Sequence, residues 1–169
     1  MFRIKRSAGV FHSETEPAIE TASGLKQWFF NGKLHRANHP AVETALGGRM
    51  YFWRGVLVSK EIACGELSDP QAIMGIKNIE QRRCAMERVG YLVFKKFMKK
   101  IDQWQDMYEL YSMDIPEDEP LRILTMHDPS LGMLYAIRVN PAETDCRLAV
   151  AHSYDCKTWE EYTEGVVWV

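Results

Sequence analysis

The chain repeats itself with a period of 23 residues. Residues 12–34 laid over 35–57 give ten identical pairs: His12/His35, Pro17/Pro40, Ala18/Ala41, Glu20/Glu43, Thr21/Thr44, Ala22/Ala45, Gly24/Gly47, Phe29/Phe52, Gly32/Gly55 and Leu34/Leu57. Chance would supply about one or two. Conservative pairs fall between them, among them Ile19/Val42, Lys26/Arg49, Trp28/Tyr51 and Phe30/Trp53. Half a unit precedes the first copy, because Gly9-Val10-Phe11-His12 resembles Gly32-Lys33-Leu34-His35. A unit this short cannot bury an apolar face alone and must stack on its neighbour.

Each unit reads as strand, turn, strand, turn. "PAIET" is a short strand, "ASG" or "ALGG" a turn, and "LKQWFF" or "RMYFW" an aromatic strand. Asn31-Gly32 is a strong two-residue hairpin signal because both types tolerate positive φ. Arg54-Gly55 takes its place in the second copy. The product is a twisted antiparallel meander, with Trp28, Phe30, Tyr51 and Trp53 as its packing residues and its candidate protein-binding surface.

The stretch "WFFNGKLHRANHPAVET" resembles the W-Y-x-N-G-K-x-H-R-x-x-x-P-A repeats of bacterial MORN-like proteins, over residues 5–58. That resemblance implies a scaffold and interaction surface of bacterial or phage type rather than a reaction. Some MORN-like repeat proteins are described as antitoxin components.

After Val58 the pattern changes. Asp69 with Pro70 reads as a helix start. "KNIEQRRCAMERVG" reads as a second helix, with Glu80/Arg83 and Arg83/Glu87 at ion-pair spacing. "YLVFKKFMKKI" reads as its continuation, with Tyr91, Phe94, Phe97, Met98 and Ile101 on one face and Lys95, Lys96, Lys99 and Lys100 largely on the other. Strands are expected over 107–113, 121–126 and 133–139, separated by "PEDEP" and "DPSLG". A helix opened by Thr144 or Asp145 follows, and Thr158 and Glu161 stand at capping-box spacing for a last one. The apolar tail "GVVWV" is expected to dock.

The expected fold is α+β. A region of hairpin repeats over 1–58 precedes an α+β region over 59–169, with helices at about 70–101, strands at about 107–139 and helices at about 145–162. The helix pair is expected to pack on the second sheet. One cooperative body with a soft boundary near 58–68 is expected, since no Pro/Gly/Ser-rich linker separates the parts. The later segment also resembles the C-terminal part of an uncharacterised bacterial domain family at Arg82, Arg83, Glu87, Gly90, Arg147, Ala149, Val150 and Ala151. His152 departs from it, standing where that family has a Trp. This second resemblance implies architecture and no activity.

Function is narrowed more by charge than by motif. The net charge is -2, so no global field steers the chain to nucleic acid or anionic lipid. No apolar run approaches the ~20 residues of a membrane span, and the basic "MFRIKRSAGVF" lacks the apolar run of a secretory signal. Cys64, Cys84, Cys146 and Cys156 form no C-x-x-C pair and read as reduced thiols of a cytoplasmic protein. No nucleophile elbow, phosphate-binding glycine loop or zinc-protease motif is present, so no catalytic residue, metal or cofactor is assigned. Asp114, Glu117, Asp118 and Glu119 read as a solvated turn, and His127-Asp128 lacks a nucleophile.

Three readings follow. The first is a non-enzymatic module binding another protein through the aromatic repeat sheet or an open edge strand. The second is an anion or nucleic-acid binder using Arg82, Arg83, Arg88, Lys95, Lys96, Lys99 and Lys100. The third is an enzyme with an unrecognised site. Among histidines, His12 and His35 are repeat-equivalent and read as structural. His39 matches Glu16 and is the histidine the repeat does not explain, which makes it a candidate binding residue.

Overall fold

The computed structural model describes residues 3–13, 15–128 and 130–165. They form two compact units, 1–89 and 90–169. The division falls at Gly90 rather than near 58–68, because the helices after Val58 belong with the repeats.

The first unit is built on turns that recur at the repeat period. Ala8-Gly9 (φ 47 and 83), Asn31-Gly32 (48 and 77) and Arg54-Gly55 (47 and 92) all take two successive positive φ values. That is the type I′ signature, whose twist matches the flanking strands. Each turn closes the same two-residue ladder. β2 (Arg6–Ser7) pairs with β3 (Val10–Phe11), and β6 (Phe29–Phe30) with β7 (Lys33–Leu34). The third ladder joins the end of β9 (Arg49–Trp53) to β10 (Val56–Val58). The half unit before His12 is thus a genuine hairpin.

A wider turn alternates with the tight one. Thr21 and Thr44 each accept a backbone N–H on Oγ1, from Leu25 at 3.1 Å and Gly48 at 2.9 Å, while Gly24 and Gly47 both sit at φ 82. These turns connect β4 (Ile19–Glu20) to β5 (Lys26–Gln27) and β8 (Val42–Glu43) to β9. With β1 (Arg3–Ile4) the main sheet runs β1-β4-β5-β8-β9-β10. Copies join edge to edge, Lys26 opposite Glu43 and Gln27 opposite Val42. The Pro-Ala pair recurs because its alanine is wholly enclosed: Ala18 and Ala41 have no exposed surface.

Three short helices complete this unit. α1 (Lys60–Cys64) is capped by Ser59, and α2 (Pro70–Met74) by Asp69, which accepts from Gln71 and Ala72 as its position before Pro70 foretells. α3 (Ile79–Val89) opens on Asn78, whose side chain accepts the Gln81 N–H at 3.0 Å. α3 lies along β10, and α1 and α2 pack on α3. Gln81 Nε2 donates to the Leu57 carbonyl at 2.9 Å, so a helix side chain satisfies part of the β10 edge. The partner of these helices is the repeat sheet, where the sequence reading had placed the second sheet.

The second unit begins with a 3-10 helix, Tyr91–Phe97, and not the expected helix to residue 101. Gly90 sits at φ 88 and ψ 145, which breaks the helical run. Tyr91, Phe94 and Phe97 recur every third residue, the 3-10 period. Lys99 and Lys100 therefore lie on a strand. β11 (Lys99–Trp104), β12 (Tyr108–Met113), β13 (Leu121–Asp128) and β14 (Met133–Arg138) form an antiparallel meander in chain order. The last three match the strands expected from alternation and turn residues.

α4 (Cys146–Ser153), capped by Asp145, and α5 (Trp159–Gly165) cover one face of this sheet. Their core joins Tyr108, Leu110 and Leu124 to Cys146, Ala149, Val150 and Tyr162. Thr158 Oγ1 accepts from Glu161 at 3.2 Å, while the Glu161 carboxylate reaches back to the Lys157 N–H at 2.7 Å, one residue before the usual capping-box donor. The 3-10 segment addresses the other face, where Lys95 lies 4.8 Å over the Tyr111 ring. The α+β architecture expected from sequence is what the chain adopts. Tail residues 166–169 lie outside the described residues, and with them the docking of "GVVWV".

Candidate functional site

The four repeat aromatics do not form an exposed face. Trp28 and Trp53 are buried, and Phe30 and Tyr51 are half-buried. Phe30 and Trp53 instead alternate with the repeat histidines in a stack. His12 to Phe30 is 5.0 Å between ring centroids, Phe30 to His35 is 5.7 Å, and His35 to Trp53 is 4.6 Å. Each histidine also serves the next tight turn. His12 Nδ1 accepts the Asn31 N–H at 3.3 Å, and His35 Nδ1 accepts the Arg54 N–H at 3.2 Å. The same bond across the same 19 residues accounts for the pairing of His12 with His35.

His39 is exposed. With Ser13, Thr15, Phe30, His35 and Arg36 it lines a cleft of about 470 Å³. The Arg36 guanidinium lies 3.8 Å over the Trp28 ring, and its Nη1 donates to Pro40 O at 3.4 Å and to Glu43 Oε1 at 3.3 Å.

The candidate anion-binding arginines are drawn into the fold. Arg82 is only 4% exposed and donates through Nη1 to Ile76 O at 3.2 Å. Arg83 pairs with Glu80 at 3.6 Å. Arg88 donates to Ala63 O and Asn38 Oδ1, at 3.3 and 2.6 Å, and lies 5.2 Å over Trp53. Glu87, expected opposite Arg83, meets Arg54 at 2.9 Å and accepts the Trp53 indole N–H at 3.2 Å.

Nor do the lysines form one face. Lys95 and Lys100 converge on Glu109, at 2.7 and 3.1 Å, where Tyr111 OH also donates at 2.9 Å. The Lys95 bond, against the opposing effect of burial and with help from Tyr111 and Lys100, holds the Glu109 carboxyl down at about 2. Lys96 and Lys99 are exposed. The arginines lie in the first unit and the lysines in the second.

A second cleft, of about 320 Å³, holds a pair that the sequence reading did not single out. His152 Nδ1 donates to Glu143 Oε1 at 2.6 Å, and this carboxylate is 8% exposed. The Glu143 bond and charge raise the His152 pKa. His127 is exposed on β13 and lines neither cleft. Burial pushes Cys84 up to about 11 and Cys146 up to about 12, so neither is a ready nucleophile. Among the described residues, no group of three or more His, Cys, Asp or Glu could hold a metal ion, and no helix is long and apolar enough to cross a membrane.

The largest unexplained apolar surface is the end of the β13–β14 hairpin. Leu131 is 65% exposed, Met133 49%, Leu134 41% and Tyr135 40%. Met133 and Tyr135 share one face and Leu134 the other. β14 pairs with β13 alone among the described residues. The sequence does carry a signal for this: "LGMLYAI" is apolar on both strand faces, where a half-buried strand would alternate.

The chain was compared with family models, curated proteins and solved structures, and none of them matches it.

Proposed function

We propose that this protein is a non-enzymatic interaction module that receives an extended apolar segment of another protein along the open edge of β14. The observation that carries this reading is the run of exposed apolar side chains beside an unpaired strand edge. Such an edge presents a row of N–H and C=O groups to any extended chain. Protein edges are commonly blunted by lysine, proline or a bulge. β14 has no charged residue from Met133 to Ile137, and its one charge, Arg138, stands 3.9 Å from Glu119. The segment it fits is uncharged and apolar at alternate positions. The MORN-like repeats, in this reading, are the scaffold of a bacterial or phage protein, and an immunity role or a place in a larger assembly are forms of it.

Affinity purification of the tagged protein from its native host, beside a Leu134→Lys/Tyr135→Lys variant, tests this. A partner retained at high salt and lost in the variant supports the reading. A partner held equally by the variant refutes it, as does a doubling of mass without a second protein, which would make the edge a self-association surface. Co-purified nucleic acid released steeply by salt would favour the binder of Arg82, Arg83, Arg88 and the Lys95–Lys100 segment instead.

A further inference from the structure

We propose that the cleft between the His12–Pro17 and His35–Pro40 loops is a binding site for a carboxylate. This stands apart from the β14 edge and does not depend on it.

The two loops are repeat equivalents, and where they differ the second turns basic. Ser13 matches Arg36, and Glu16 matches His39. The repeat frame itself needs neither basic residue, since the first copy folds the same hairpin without them. Both line the cleft, facing the Ser13 and Thr15 hydroxyls of the first loop across a cavity of about 470 Å³. No acidic side chain lines it among the described residues.

Arg36 is oriented before any ligand arrives. Its guanidinium is stacked 3.8 Å over Trp28, and its protein bonds use Nη1. Nε and Nη2 donate to no described residue, which leaves the planar fork that matches a carboxylate in two parallel bonds. His35 adds a directed donor. Its Nδ1 accepts the Arg54 N–H, so the proton of the neutral ring sits on Nε2. Phe30 supplies apolar surface. Glu43 already shares the charge of Arg36, at 3.3 Å. The remaining field suits a monoanion better than a phosphate dianion. The ligand class is therefore a carboxylate on an apolar or aromatic body, either a free acid or the C-terminus of a peptide.

The test is a titration of the full chain followed by the histidine side-chain NMR resonances at constant ionic strength. The probes are benzoate, inorganic phosphate, a short peptide ending in Phe, and the same peptide as its C-terminal amide. Benzoate should shift His35 and His39 saturably in the millimolar range, with phosphate weaker by about tenfold. His39→Ala and Ser13→Ala should each weaken benzoate by about three- to tenfold. Arg36→Lys keeps a cation over Trp28 but loses the fork, and should weaken it by about tenfold or more. His39 is exposed, so its variant reads binding without a folding defect. A peptide acid tighter than benzoate assigns a chain terminus as the source. Benzoate as tight or tighter assigns a free acid. Absence of saturable shifts, phosphate as tight as benzoate, an amide as tight as the acid, or unchanged binding in all three variants would overturn the site.

Discussion

Trp28 and Trp53 lie in the same stacked repeat, yet their indole N–H groups have opposite fates. Trp53 Nε1 donates to Glu87 Oε2 at 3.2 Å, and the other carboxylate oxygen meets Arg54 at 2.9 Å. Trp28 Nε1 is buried with no hydrogen-bond partner among the described residues. Trp53→Phe should lose a bond to a charged acceptor, in general about 1.5–3 kcal/mol. The Glu87 side chain is 30% exposed, which trims that figure. Weakened contacts to His35 and Arg88 add about 0.5–1 kcal/mol. The expected net loss is about 2 kcal/mol. Trp28→Phe removes an unmet buried donor whose desolvation costs about 1–3 kcal/mol. That gain offsets the lost ring volume and the weaker contact with Arg36, so the expected change is within about 1 kcal/mol of zero. Urea unfolding followed by fluorescence and circular dichroism measures both. In a domain this size each kcal/mol is worth about 4–8 °C of Tm. In a Glu87→Ala background the cost of Trp53→Phe should fall below about 1 kcal/mol. Equal losses for the two tryptophans, or no coupling to Glu87, would refute the reasoning.

Other outcomes follow from the same geometry. Gly24 and Gly47 share φ 82, but a Cβ on Gly24 would stand 2.8 Å from Ala45 Cβ while one on Gly47 meets nothing within 4 Å. Gly47→Ala should therefore cost only the left-handed strain of about 1–2 kcal/mol, and Gly24→Ala clearly more in thermal unfolding. His152 has its pKa raised by Glu143. Its contribution to stability is full below the unfolded histidine value of about 6.5 and is lost as pH rises through the folded value. A Tm–pH profile should lose that component in His152→Gln. At neutral pH, Ellman's reagent should modify the half-buried Cys64 and Cys156 well before the buried Cys84 and Cys146, and all four once urea unfolds the chain.

Legibility in the sequence follows the range of the forces involved. Asn31-Gly32 announces its turn by residue type. Ala8 and Arg54 do not, and only the repeat reveals that they take the same positive φ. Asp69 before Pro70, Asp145 before α4 and Thr158 before α5 are caps readable from two or three neighbours. The stretch from Tyr91 to Ile101 misleads because an apolar set spaced three and four apart serves a helix, while its 91, 94, 97 subset serves a 3-10 turn. Gly90 and the pairing of β11 with β12 decide between them. Of the candidate site residues, His39 was legible as the histidine its repeat does not explain. Arg82 and Arg88 were not legible as fold members, because nothing local says that Ile76 O, Ala63 O or Asn38 will receive them.

The sequence by itself determined the hairpin unit, its period, its turns and the strands of the second meander. These depend on φ preferences and side-chain alternation within a few residues. Tertiary structure alone decided which surfaces are available. It turned the repeat aromatics inward, covered the β10 edge with α3 and left β14 open. It also spent most of the candidate cations on internal partners and gathered Ser13, Arg36 and His39 around one cleft. Each of these depends on groups far apart in the chain, and a residue carries no local mark of what will be folded against it.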